Sequence, residues 1–277
     1  MTQERPFSRL VAGVFGAWLA CAAAVGHAAD VPRGWEQAFP KTDFTQRAID
    51  LDSIQSGGLP RDAIPSIDDP KFVSVAERRD CVDARGDGAD DRRECLADTE
   101  PVIGLEIDGD ARAYPLRILT WHEIVNDRVG GTPVAVTYCP LCNSAMVFDA
   151  RVDGRRLEFG TTGKLRRSDL VMYDRQTESW WQQFTGKGIV GEHSGTKLEL
   201  RPSRLESWKS FRERHPDGKV LVPNAPLGRP YGKNPYAGYD RRDDPMMYRG
   251  PMPEKMPAMG RVVVVGETAW DLRLVRE

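Results

Sequence analysis

The 277-residue chain carries 39 Lys and Arg against 41 Asp and Glu, a net charge of −2. With 29% charged and 40% hydrophobic residues it is neither a basic nucleic-acid binder nor an acidic disordered tail, so no nucleic-acid partner is expected. Seven Trp, nine Phe and seven Tyr are enough to seed a core, while five cysteines make an odd count.

Arg5 and Arg9 precede an apolar run over 11–26, which ends at Gly26-His27-Ala28. A basic start, an apolar middle and a small-x-small end predict a signal peptide over 1–28, and with it an exported, periplasmic or extracellular protein. Nothing after residue 28 reaches the roughly 20 apolar residues of a bilayer span, so no membrane span is expected after cleavage. Cleavage also removes Cys21. Four cysteines remain, Cys81, Cys95, Cys139 and Cys142, an even number for an oxidising compartment.

Residues 29–100 read as an N-terminal arm. Its first part is rich in Pro, Asp and Ser, with scattered Trp35, Phe39, Phe44 and Phe72, the pattern of an irregular segment wrapping a larger body. Residues 76–98 turn highly charged. Cys81 and Cys95 bracket this insertion, and a disulfide closing about 15 residues would add roughly 3 kcal/mol. Inside it Asp83, Asp87, Asp91 and Glu94 follow the spacing of an EF-hand calcium loop, with Gly88 at the sharp turn. Arg85 puts a cation where a carboxylate is needed, so the plain reading is a solvated charged loop.

Residues 101–277 read as a β-rich main domain. Asp108-Gly109 joins VIGLEI to ARAYPL as a hairpin. Ile118, Trp121, His122 and Val125 share a helical face over 117–125, and Gly130-Gly131 ends that stretch. PVAVTYC, AMVFDARV, RRLEFG, LVMYD and SWWQQF read as strands, followed by the shorter GIVGE and TKLEL. Ser203 and Glu206 form an S-x-x-E capping box that predicts a helix over 203–214. Residues 223–260 read as an extended loop, and RVVVVG returns to strand. Ala113-Tyr114-Pro115-Leu116-Arg117-Ile118 is echoed by Ala269-Trp270-Asp271-Leu272-Arg273-Leu274, each after a Val/Ile-rich strand. The fold expected is mainly β (α+β), a twisted β-sandwich or barrel with two or three short helices.

The sharpest chemical signal is Tyr138-Cys139-Pro140-Leu141-Cys142-Asn143. A C-x-x-C turn brings two sulfurs together, either to close a disulfide or to hold one metal ion. No long helix follows it, which argues against a thioredoxin fold. Asn143 stands where c-type haem attachment requires His. A metal knuckle needs further ligands, for which His122, His193 and Met172 are candidates, His122 foremost; two thiolates and an imidazole suit Zn or Cu. A disulfide staple is the structural alternative for the cysteines, and a satisfied core histidine the alternative for His122. Lys164, Arg166, Arg167 and Ser168, after Gly160-Thr161-Thr162-Gly163, offer an anion nest or a plain surface turn. Tyr173, Asp174, Thr177, Trp180 and Trp181 suggest either a groove or a side-chain-capped turn.

Taken together, Ala113-Tyr114-Pro115-Leu116, Trp121 to Asp127, Thr137 to Cys142 and Met172-Tyr173-Asp174-Arg175 resemble a bacterial family, domain-of-unknown-function family 3179. The likeness continues through Thr177-x-Ser179-x-Trp181 and His215-Pro216-Asp217 and so covers about residues 100–240. It implies an exported or membrane-associated protein and carries no activity. Members often have Gly where this chain has Asn143, and the 81–95 loop falls outside the shared pattern. The expected function is therefore a metal site at Cys139, Cys142 and His122, or a dithiol redox pair, or a ligand-binding module with structural disulfides. No small-molecule or protein partner is indicated.

Overall fold

The computed structural model describes residues 31–77, 95–223, 229–265 and 268–275. The expected signal peptide, Cys81 and the candidate calcium ligands Asp83, Asp87, Asp91 and Glu94 lie outside them. In chain order the elements are α1 (Trp35–Ala38), β1 (Ile54–Ser56), β2 (Lys71–Ser74), β3 (Pro101–Ile107), β4 (Asp110–Pro115) and α2 (Leu116–His122). Next come β5 (Ile124–Val129), β6 (Thr132–Cys139), β7 (Ser144–Asp149), β8 (Arg151–Val152), β9 (Arg155–Arg156), β10 (Phe159–Arg166) and β11 (Asp169–Asp174). The remainder are β12 (Trp180–Gln182), β13 (Lys187–Val190), β14 (Arg204–Ser207), α3 (Trp208–Arg214), β15 (Lys219–Val222), β16 (Val262–Val265), β17 (Thr268–Asp271) and α4 (Leu272–Val275).

Three sheets stack in layers. The first has the order β1-β10-β11-β12-β13, the second is β5-β6-β7, and the third has the order β14-β3-β4-β15-β2. All neighbours pair antiparallel except β15 beside β4. Side chains alternate across a strand, so a sheet buried on both faces reads as an unbroken apolar run. In β6, Val134, Val136 and Tyr138 face the third sheet, while Ala135 and Cys139 face the first. In β11, Leu170 and Met172 meet the middle sheet, whereas Val171 and Tyr173 pack under the arm with Trp35, Phe39, Phe44 and Leu51. The outer face of the third sheet is closed by Trp208 and Phe211 of α3. Gly104 of β3 permits that approach, since a Cβ there would stand 3.0 Å from the Phe211 ring. The chain thus has the β-rich α+β fold that its strand pattern predicts, built as a layered sandwich.

The arm does more than wrap. It supplies an edge strand to each outer sheet, β1 beside β10 and β2 beside β15. Arg112 and Tyr114 of β4 both bond Asp127 of β5, the former at 2.8 Å and the latter at 2.7 Å, and so tie the third sheet to the middle one. No helix among the described residues is long and apolar enough to cross a membrane.

Two expected helices differ. The stretch 203–214 begins as strand β14 paired with β3, and the helix starts only at Trp208, capped by Ser207 Oγ on the Ser210 amide at 3.2 Å. The capping box loses because the edge of β3 takes four residues as a strand, and Glu206 pairs with Arg214 instead. The stretch 117–125 is helical over 116–122. At Glu123 the backbone turns to φ 58°, and Ile124 opens β5.

The sequence echo has a structural counterpart. Each copy is a hairpin that runs straight into a helix, β3-β4-α2 and β16-β17-α4, with Ile103 opposite Tyr114 and Val263 opposite Trp270.

Candidate thiol–carboxylate site

The Cys-Pro-Leu-Cys segment is the loop of the β6–β7 hairpin. Cys139 is the last residue of β6 and pairs with Ser144, the first of β7. Asn143 takes φ 47° just before β7, the left-handed conformation that Asn tolerates well. Cys139 is buried between the middle and first sheets, Cys142 is exposed, and both are free thiols.

Opposite them the β10–β11 hairpin delivers Asp169. Its turn residues Arg167 and Ser168 have φ 54° and 63°, a two-residue geometry normally given to Asn and Gly. Arg167→Gly should therefore stabilise the fold by about 1 kcal/mol, read as a rise in Tm of roughly 2–4 °C. No rise would mean that the turn is unstrained. Ser168 anchors the tip by donating its hydroxyl to the Met246 carbonyl at 2.6 Å.

The sulfurs of Cys139 and Cys142 and a carboxylate oxygen of Asp169 all lie within 4.8 Å of one another. Cys142 Sγ stands 3.2 Å from Asp169 Oδ1 and 3.0 Å from Ser144 Oγ. A polar frame holds the set. Gln182 and the Phe184 amide both donate to Asp169 Oδ2, the latter at 3.0 Å. Ser144 donates to Gln183 at 2.8 Å, and Gln183 donates to Thr137 at 2.9 Å.

Glu123 lies beside this set, its backbone carbonyl accepting from the Tyr138 amide at 2.8 Å. Its carboxyl is buried, and burial, then the nearby Asp169 charge, pushes its pKa up to about 8. Asp169 is raised as well, chiefly by burial. Burial, the adjacent Cys142 and both carboxylates drive the Cys139 thiol well above its ordinary range. Tyr138, raised to about 12 by burial and then by the two cysteines, borders the same cluster. Arg166 feels the Asp169 charge but gives its donors to Ser53 and Gln182, at 3.0 and 3.3 Å. Several acidic groups are thus crowded in a buried place, and among the described residues no cation is bonded to them.

His122 is not brought to the cysteines. Its Nδ1–H donates to the Pro65 carbonyl at 2.7 Å and its Nε2 accepts from Tyr231 at 2.7 Å, with the rings stacked. The ring is a clamp between the arm and the 229–260 segment. Its pKa is lowered, chiefly by burial, which keeps it neutral in that role. His193 packs on Trp181, and Met172 lies in the same apolar cluster as Cys139.

The residues of the expected anion nest divide between strand β10 and the β10–β11 turn. Lys164 and Arg166 lie in strand β10, paired with Ser56 and Ile54, because a bulge after Thr161 absorbs the glycine-rich stretch. Asp174 caps its own turn through the Thr177 amide at 2.7 Å and the Trp181 indole at 3.0 Å, so Tyr173, Asp174, Trp180 and Trp181 are buried and form no groove.

The family model described as "Protein of unknown function (DUF3179)" matches residues 61–277. The chain belongs to that family. No curated protein and no solved structure matches it. In this DUF3179 chain the stretches singled out from the sequence divide by role. Ala113 to Leu116, Asn126 and Asp127, and Asp174 to Trp181 hold the layers together, while Cys139 and Cys142 lie at the candidate site.

Proposed function

We propose that this DUF3179 protein binds a thiophilic metal ion at Cys139, Cys142 and Asp169, within the span of the family match. The reading rests on the convergence of two sulfurs and one carboxylate oxygen within 4.8 Å. A tetrahedral ion with bonds of about 2.0–2.3 Å separates its ligand atoms by about 3.3–3.8 Å, close to the Cys142–Asp169 spacing. A divalent cation also relieves the crowded acidic groups by stabilising their deprotonated forms. Of the two thiophilic candidates, the carboxylate favours Zn²⁺ over Cu(I). Three protein ligands leave one position for water. Reduced protein purified with zinc should carry about one ion per chain by elemental analysis. Cys142→Ser and Asp169→Asn should each remove most of it, while His122→Gln should leave it in place. Metal-free reduced protein, after exposure to zinc and desalting, sinks the reading.

A second reading is favoured by the exposure of Cys142 in front of buried Cys139: a dithiol pair in which Cys142 reacts first and Cys139 resolves. A reduction potential well below about −300 mV would mark the bond as merely structural.

We also infer export through the 1–28 segment, and a bridge between Cys81 and Cys95 that closes the charged insertion. What supports the bridge is that Cys95 is disulfide-bonded while Cys139 and Cys142 are free.

A further inference from the structure

We propose that the groove beside β13 binds a free medium-chain carboxylate, its tail on an apolar floor and its head between two lysines. The proposal goes beyond the metal site and does not rest on it. The groove has a volume of about 270 Å³, with Phe148, Phe184, Leu198 and Leu200 as floor and wall and Lys187 and Lys197 on its rim. Phe184 and Leu200 are each 53% exposed, large apolar side chains left open to water beside one another's groove.

The lysines are set by the backbone. Lys187 and Lys197 face each other across an isolated antiparallel bridge. The Gly188 amide donates to the Thr196 carbonyl and the Leu198 amide to the Gly186 carbonyl, both at 2.8 Å. Those bonds flank the pair and leave it in the non-hydrogen-bonded position, where opposing Cα atoms come within about 4.5 Å and side chains are closest. Like charges set directly opposite are destabilising. Among the described residues neither ammonium has an ion pair, and Glu199, the nearest carboxylate in sequence, is paired with Arg201 at 3.2 Å.

A two-lysine rim with no counter-ion calls for an anion, and the apolar floor calls for a hydrocarbon. The volume is that of roughly nine waters at about 30 Å³ each, which suits a chain of about eight carbons. An oxyanion between two ammonium groups removes their repulsion, while the tail covers Phe184 and Leu200.

Isothermal titration with octanoate tests this, with octanol as tail without charge and acetate as head without tail. Octanoate should bind at least tenfold more tightly than either. The Lys187→Gln/Lys197→Gln double variant and Leu200→Asp should each weaken it at least tenfold. Lys187→Glu should abolish binding and raise Tm, because the new carboxylate supplies the missing counter-charge. That gain confirms folding independently of the ligand. Octanol binding within twofold of octanoate, or an unchanged Kd in the double variant, overturns the proposal. So does a dimer formed through this face that Leu200→Asp dissociates and octanoate leaves intact.

Discussion

Metal-free, reduced protein should lose stability as pH rises from about 4.5 to about 8, and Glu123→Gln should remove most of that loss. The Glu123 carboxyl has its folded pKa raised to about 8 from an ordinary 4.5, so the folded state holds a proton that the unfolded state has released. Its contribution is complete below the unfolded pKa and is lost as pH climbs through the folded one. Asp169, raised in the same direction, adds to the trend. The combined change is on the order of 3 kcal/mol, allowing for relaxation of the buried site. Zinc should reverse the sign, because ligation needs deprotonated thiols and carboxylates and so strengthens with pH. Urea melts at four pH values, with chelator or with zinc, give the comparison. A flat metal-free profile, identical in Glu123→Gln, would show that this carboxyl is solvated rather than buried.

The second large effect lies on the opposite face of the first sheet. Trp180→Ala should cost about 3–5 kcal/mol, the range for emptying a large aromatic site. The indole is fully buried and meets Trp35, Phe39 and Phe44 with ring centroids 4.9, 5.0 and 5.3 Å away. These contacts fix the arm to β12, so the variant should also expose residues 40–60 to limited proteolysis under conditions where the main domain survives. Trp180→Phe should be much milder, since among the described residues the buried indole N–H has no hydrogen-bond partner and its removal loses no bond. A Trp180→Ala variant within 1 kcal/mol of the parent would mean that the arm is held elsewhere.

The layered sandwich was legible where the chain's own periodicity decides. Both faces of β6 and β11 are buried, so PVAVTYC and LVMYD read as near-continuous apolar strands. The hairpin at Asp108-Gly109 follows from its turn chemistry, with φ values of 49° and 81°. Where tertiary pairing competes with local preference, the sequence misleads: Ser203 and Glu206 spell a helix start, but the open edge of β3 claims Arg204–Ser207 as a strand.

At the site, the cysteine turn stands out from spacing alone, whereas its carboxylate partners do not. Asp169 is 27 residues beyond Cys142 and reaches it only through the stacking of two hairpins. Glu123 hides behind its neighbour. On an uninterrupted helix over 117–125 it is an ordinary polar position, and His122 is the residue on the apolar stripe. Because the helix stops at His122 and Glu123 reverses the backbone, the carboxyl is buried within reach of the Asp169 charge and the imidazole is left to clamp Tyr231. Nothing in the sequence singled out Glu123 beyond its place in the Trp121–Asp127 stretch that carries the family resemblance.

The arm's two edge strands also set the order in which the molecule can be completed during synthesis. β2 leaves the ribosome early, yet its partner β15 lies roughly 150 residues later, the kind of long-range closure that slows folding. Until Val222 has emerged, β2 and the outer edge of β4 remain unpaired templates. A chain truncated just before Lys219 should therefore be markedly more aggregation-prone on refolding than one truncated just after Val222, although the two differ by only a few residues.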